Sequence, residues 1–155
     1  MTRLTVHAID PSRSEMFNAS MAQPFAAITV RSMLVVLFIC NRNSDRVEHW
    51  DLEGNFVRVI QKDLRMPASV HIRDAHALVP ELKGRVTLLN KDGSIAAQLG
   101  DNPNEKQRAN FGLPKEQWTE GVCNSPHGGS IDAEGNLIIT EWSQFGRLHK
   151  FKRVH

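Results

Sequence analysis

The stretch that decides the fold is Leu37-Phe-Ile-Cys-Asn-Arg-Asn-Ser-Asp-Arg-Val-Glu-His-Trp-Asp-Leu-Glu-Gly54. An apolar run from Leu37 to Cys40 ends at the polar Asn41. Arg46 and Val47 follow, then Trp50, then a glycine at Gly54. The same order returns in Ala77-Leu-Val-Pro-Glu-Leu-Lys-Gly-Arg-Val-Thr-Leu-Leu-Asn-Lys-Asp-Gly93. It returns again, without the closing glycine, in Leu137-Ile-Ile-Thr-Glu-Trp-Ser-Gln-Phe-Gly-Arg-Leu-His-Lys-Phe151. With Arg46, Arg85 and Arg147 aligned, the next residue is Val47, Val86 or Leu148. Four residues after the arginine comes Trp50, Leu89 or Phe151. Before it, Asn41, Glu81 or Glu141 closes the apolar run. The spacers vary by a residue from copy to copy, as hairpin loops do. Recurrence of this kind must be recognised before local structure is assigned, because it governs the fold.

Each copy is preceded by a strand-like segment opened by proline: Pro24-Phe-Ala-Ala-Ile-Thr-Val30, Pro67-Ala-Ser-Val-His-Ile72 and Pro126-His-Gly-Gly-Ser-Ile-Asp132. Proline suits the first residue of a strand, where no ladder donor is lost. The intervals are 43 residues from Pro24 to Pro67 and 59 from Pro67 to Pro126. The longer one contains an insertion, about residues 101–123, rich in Asn, Pro, Gly, Gln and Glu, which reads as a surface loop. Fourth strands are expected at Phe56-Val-Arg-Val-Ile60 and Ile95-Ala-Ala-Gln-Leu99. The last copy stops after its third strand.

The second strands, Leu37–Cys40, Ala77–Val79 and Leu137–Ile139, are apolar without alternation, which means burial on both faces. Four-stranded sheets of about 40 residues, covered on both sides, are propeller blades. The expected fold is therefore all-β: a partial β-propeller of about three four-stranded blades. The blades occupy 24–66, 67–125 with the inserted loop, and 126–155. Residues 1–23 do not read as a blade and form an atypical leader or remnant. A β-sandwich would want one polar face per sheet and no shared arginine register.

Composition narrows the function. The chain has 155 residues, 41% hydrophobic, and a formal net charge of +2 from 19 basic and 17 acidic side chains. That balance carries no footprint for nucleic acid and no polybasic membrane patch. Two cysteines, Cys40 and Cys123, match no zinc spacing and no disulfide scaffold. No apolar run approaches the roughly 20 residues of a membrane span, and no signal-peptide pattern opens the chain. A cytoplasmic location is the default expectation. There is no Gly-x-Ser-x-Gly elbow, and no lysine follows Gly128-Gly129-Ser130 to make a phosphate loop.

These units resemble the NHL-repeat family of six-bladed β-propellers, with this chain corresponding to a C-terminal half. The residues that carry the resemblance are Phe38-Ile-Cys-Asn-Arg-Asn-Ser-Asp-Arg-Val-Glu-His-Trp-Asp-Leu-Glu-Gly-Asn-Phe56, Ser125-Pro-His-Gly, and Glu134-Gly-Asn-Leu-Ile-Ile-Thr-Glu-Trp142. The resemblance implies a binding or scaffold module, or a truncated protein without its own catalysis. It extends distantly to propellers like the peptide-amidating lyase, which implies the alternative of a metal-dependent lyase or hydrolase. In those a metal on the ring axis is held by histidines from several opening strands. The resemblance then implies zinc or calcium once a complete ring is formed.

Only His127, in Pro126-His-Gly, matches that histidine pattern, and it is the candidate metal or binding residue. Phe25 and Ala68 or Ser69 occupy the corresponding positions in the other copies. Trp118 in the insertion, and Trp142 with Glu141 beside it, are further candidates for a ligand surface. Arg46, Arg85 and Arg147 recur once per unit, which favours a structural role over substrate binding. His49 and His149 read as exposed strand residues and His76 as a turn residue. Half a ring leaves apolar blade faces open, so self-association or a partner covering them is expected.

Overall fold

The computed structural model describes residues 36–154 together with the backbone of Ile28–Val30. The leader 1–23 and the opening proline Pro24 lie outside the described residues. Eleven strands in this region form three antiparallel sheets. The first holds β1 (Ile28–Val30), β2 (Leu37–Asn41), β3 (Arg46–Trp50) and β4 (Phe56–Gln61). The second holds β5 (His71–Arg73), β6 (His76–Glu81), β7 (Arg85–Asn90) and β8 (Ile95–Leu99). The third holds β9 (Pro126–Ile131), β10 (Leu137–Glu141) and β11 (Arg147–Phe151). Within every sheet the strand order follows the sequence, so each is a meander closed by short turns.

Local chemistry explains where the strands stop. Asp51-Leu-Glu-Gly54-Asn55, Asn90-Lys-Asp-Gly93-Ser94 and Asp132-Ala-Glu-Gly135-Asn136 form the same turn. In each, the first residue's N–H donates to the carbonyl of the fifth, at 3.0, 2.8 and 3.0 Å respectively. The glycines carry φ of +85°, +93° and +84°, a region costly for any residue with a Cβ. Two details differ from the sequence reading. His76 opens β6 rather than lying in a turn, because Asp74 takes the left-handed conformation and the bend is complete at Ala75. β6 also runs through Pro80. Proline lacks a donor, but the Pro80 carbonyl accepts the Ala68 N–H at 2.9 Å and so carries the entering chain.

The sheets pack face to face. One core cluster joins Cys40 and Val47 of the first sheet to Val70, Ala77, Val79 and Leu89 of the second. Another joins Leu78 and Val86 to Ile131, Leu137 and Ile139 of the third. Buried neighbours on both sides of the middle sheet account for the unalternating run in β6. Gly129 faces Leu78 and Pro80, where a Cβ would come within 3.1 Å of either side chain, so its absence permits the close approach of β9 to β6.

Each sheet also buries one carboxylate beside its recurring arginine. In the second, Glu81 is fully buried and takes Arg85 Nε at 3.0 Å and Arg85 Nη2 at 2.7 Å. The Thr87 hydroxyl and the Arg65 backbone N–H complete its shell. In the third, Glu141 receives His149 Nε2 at 2.7 Å, Asn124 N–H at 2.9 Å and Ser125 N–H at 3.3 Å. Arg147 Nη1 lies 3.9 Å away. In the first sheet the acid moves: Glu48 on β3 takes the place, accepting Arg46 Nε, Asn41 Nδ2 at 3.0 Å and Trp50 Nε1 at 2.7 Å. His149 is thus buried rather than exposed. It stands two residues past Arg147 and therefore on the same face of its strand, aimed at the carboxylate.

Two outcomes test this architecture. Gly93→Ala is expected to destabilise more than Gly54→Ala in urea unfolding, by about 1–2 kcal/mol, because strain is common to both but only Gly93 has no room. A Cβ there would meet the Ile60 carbonyl at 2.8 Å, whereas at Gly54 nothing lies within 4 Å. The second concerns pH. Burial pushes Glu141 upward, but the His149 hydrogen bond, the Asn124 N–H and the nearby charges outweigh it and hold the carboxyl below its usual 4.5. The native pKa is depressed, so the stabilisation is present above 4.5 and is lost as pH falls through the lower native value. The stability gap between the native chain and Glu141→Gln should therefore narrow between pH 5 and pH 3 in parallel denaturation curves.

Candidate functional site

His127 is the second residue of β9, the opening strand of the third sheet. Its backbone carbonyl accepts the Ser69 hydroxyl at 2.8 Å, which ties it to the opening segment of the second sheet. The imidazole is half-buried and meets the Trp142 ring edge-on at 5.4 Å between centroids. Burial lowers its pKa below the usual 6.5, and the positive charge of Arg42 lowers it further. At neutral pH the ring is therefore uncharged, able to accept one proton or to offer one lone pair.

The neighbours of His127 come from equivalent places in the fold. Trp142 directly follows the last residue of β10, as Arg42 directly follows the last residue of β2. Trp142 is 49% exposed, so it is not part of the core. Against it lies Phe111 from the insertion, with ring centroids 4.5 Å apart. The Gln144 N–H donates to the Phe111 carbonyl at 3.0 Å and fixes the insertion to this end of the sheets. Arg42 Nε and Nη2 are buried and have no hydrogen-bond partner among the described residues. His127, Trp142, Phe111 and Arg42 thus make an aromatic patch beside an under-satisfied cation. Phe111 was missed in the sequence, where Trp118 was the aromatic singled out in the same insertion.

The other candidates lie elsewhere. Trp118 is half-buried, gives its Nε1–H to the Leu113 carbonyl at 3.1 Å, and stacks under the Arg147 guanidinium at 4.8 Å. Arg147 also donates to the Thr119 carbonyl. Arg147 and Trp118 therefore pin the insertion to the third sheet. Glu141 is enclosed by the hydrogen bonds described above. Arg46 and Arg85 sit against Glu48 and Glu81, and Arg85 also reaches the Asp63 carbonyl at 3.4 Å.

Among the described residues one group has metal-ligand types in proximity: Cys123, Glu141 and His149, with ligand atoms within 4.8 Å of one another. It does not suit a cation. Burial, reinforced by the Glu141 charge, pushes the Cys123 thiol up to about 12, so a cation would have to displace its proton. Glu141 already accepts two backbone N–H groups and His149, and Arg147 stands beside it. His127 is not a member of this group. A metal on the axis of a larger ring would need ligands from outside these three sheets.

Among the described residues, no helix is long and apolar enough to cross a membrane. No protein-family model matches the chain, and no curated protein does. Solved structures do. A virginiamycin B lyase from Staphylococcus aureus superposes with a TM-score of 0.50 at 13% identity, covering 83% of this chain and 41% of that one. A streptogramin B lyase gives a TM-score of 0.48 at 14% identity, covering 81% and 39%. This chain thus spans less than half the length of those two proteins. Three antiparallel meanders packed face to face, together with the first of these likenesses, make the chain a partial β-propeller of the all-β class.

Proposed function

We propose that this chain is the ligand-binding part of an NHL-type, six-bladed β-propeller and acts as a binding module rather than as a self-contained enzyme. The observation that carries this reading is the patch at the His127 end of the sheets. Trp142 and Phe111, 49% and 36% exposed, lie against one another at a tilt of 33° beside a neutral imidazole. Exposed aromatic groups gathered in one place are a property of interaction surfaces, and their flat faces suit a planar or apolar ligand. Arg42 adds a positive charge with incomplete hydrogen bonding, suited to an acceptor on that ligand.

The same reading includes association. β11 has no strand on its outer edge among the described residues, whereas β3 and β7 are covered by β4 and β8. Leu148 on β11 is 63% exposed. An uncovered edge and an outward leucine favour pairing with another chain. A second copy of this chain, adding three more blades, is the proposed partner.

A catalytic version rests on one observation, that His127 is held uncharged and can act as a base. It would make the assembly a metal-dependent lyase or hydrolase, with zinc or calcium ligands supplied by further blades.

Three outcomes follow. In protein-observed NMR of a fragment library against the 155-residue chain, shifts should cluster at His127, Trp142 and Phe111 and vanish in Trp142→Ala. Hits confined to other surfaces would sink the binding reading. Light scattering should give at least twice the monomer mass, and a monomer that melts cooperatively would remove the association. Metal analysis of the purified assembly separates the two functions: stoichiometric zinc or calcium lost on His127→Ala favours catalysis, and its absence favours binding alone.

A further inference from the structure

At the far end of the strands from His127, a cleft of about 500 Å³ opens between the first and second sheets. It lies in the size range of small-molecule sites. Phe38, Ile60, Ile72 and Leu89 provide apolar walls, and these residues pack on the core cluster joining the two sheets or belong to it. The floor of the cleft is therefore rigid.

Its polar groups are of one dominant sign. Arg58 and Lys91 line it, and neither forms an ion pair with a carboxylate of the described residues. Asp74 is the one lining acid. It is 89% exposed and stands 3.9 Å from Arg73. His49 closes the wall, its ring edge-on to Phe38 at 4.1 Å. Arg58 Nε donates to His49 Nδ1 at 3.5 Å, which places the imidazole proton on Nε2. That Nε2 is buried and has no partner among the described residues. A buried donor left unpaired is unfavourable, and an acceptor entering beside it relieves the cost.

We infer that this cleft binds a small amphipathic anion, an apolar body carrying one carboxylate. The body lies against Phe38, Ile60, Ile72 and Leu89, and the carboxylate faces Arg58 and Lys91. The site is separate from the His127 patch and does not rest on the ring being complete. A neighbouring cleft of about 300 Å³ between the second and third sheets is less suited. Asp132 lies in it, and Arg73, which also lines it, already donates to the Ile131 carbonyl at 3.1 Å.

The test is titration calorimetry of the full chain with octanoate, and with octanol as its uncharged counterpart. One octanoate per chain is expected, bound more tightly than octanol. Arg58→Gln with Lys91→Gln should weaken octanoate by about ten- to a hundredfold and leave octanol nearly unchanged. Ala75→Trp, at an exposed position lining the cleft, should abolish both while circular dichroism and the melting curve remain native. Three results would overturn the inference: no saturable octanoate binding, equal binding of octanol, or octanoate binding that survives Ala75→Trp in a folded protein.

Discussion

The buried carboxylate beside each recurring arginine is the constraint on which the rest of this structure depends. A charge removed from water is tolerated only where hydrogen bonds and an opposite charge surround it. Glu81 meets that condition by collecting a guanidinium and a hydroxyl from β7 and a backbone N–H from the segment that enters its sheet. Glu141 does the same with an imidazole and two backbone N–H groups. In both, one backbone donor is the residue two before the opening proline, Arg65 or Asn124. The carboxylate therefore fixes how the chain enters the opening strand of its own sheet, and with it the position of Ser69 and His127.

Much of the fold was legible in the sequence. The apolar runs, the proline openings and the Asp-x-Glu-Gly-Asn turns fix strand order and register, because each acts through chemistry within a few residues. The carboxylate node was harder to read. Its acid lies at the end of the second strand in two sheets, as Glu81 and Glu141, but on the third strand in the first sheet, as Glu48. Asn41, Thr87 and His149 fill the complementary places. Each sheet keeps one acid and one arginine while the columns of the alignment change. The burial of His149 was misread for that reason: Arg147 and Lys150 beside it suggest solvent, but alternation along the strand turns it inward.

The site was legible only in part. His127 could be singled out because Pro126-His-Gly matches the opening-strand histidine pattern that the resemblance implies. Trp142 could be singled out too, but its meeting with His127, Phe111 and Arg42 could not, since these come together only when the sheets stack and the insertion folds over one end. The cleft beside His49 is less legible still. None of its residues is unusual alone, and the space between them is a property of the angle at which two sheets meet.

The sequential strand order has a further consequence, for the way such a chain comes to exist. Every hairpin joins neighbours in sequence, and each core cluster joins one sheet to the next. Long-range closure entropy is therefore avoided within a unit, and folding can begin in any of the three. A unit gained or lost at either end leaves the wiring of the others unchanged. The number of units is thus an adjustable quantity for this architecture, limited by how well the exposed end strand is covered.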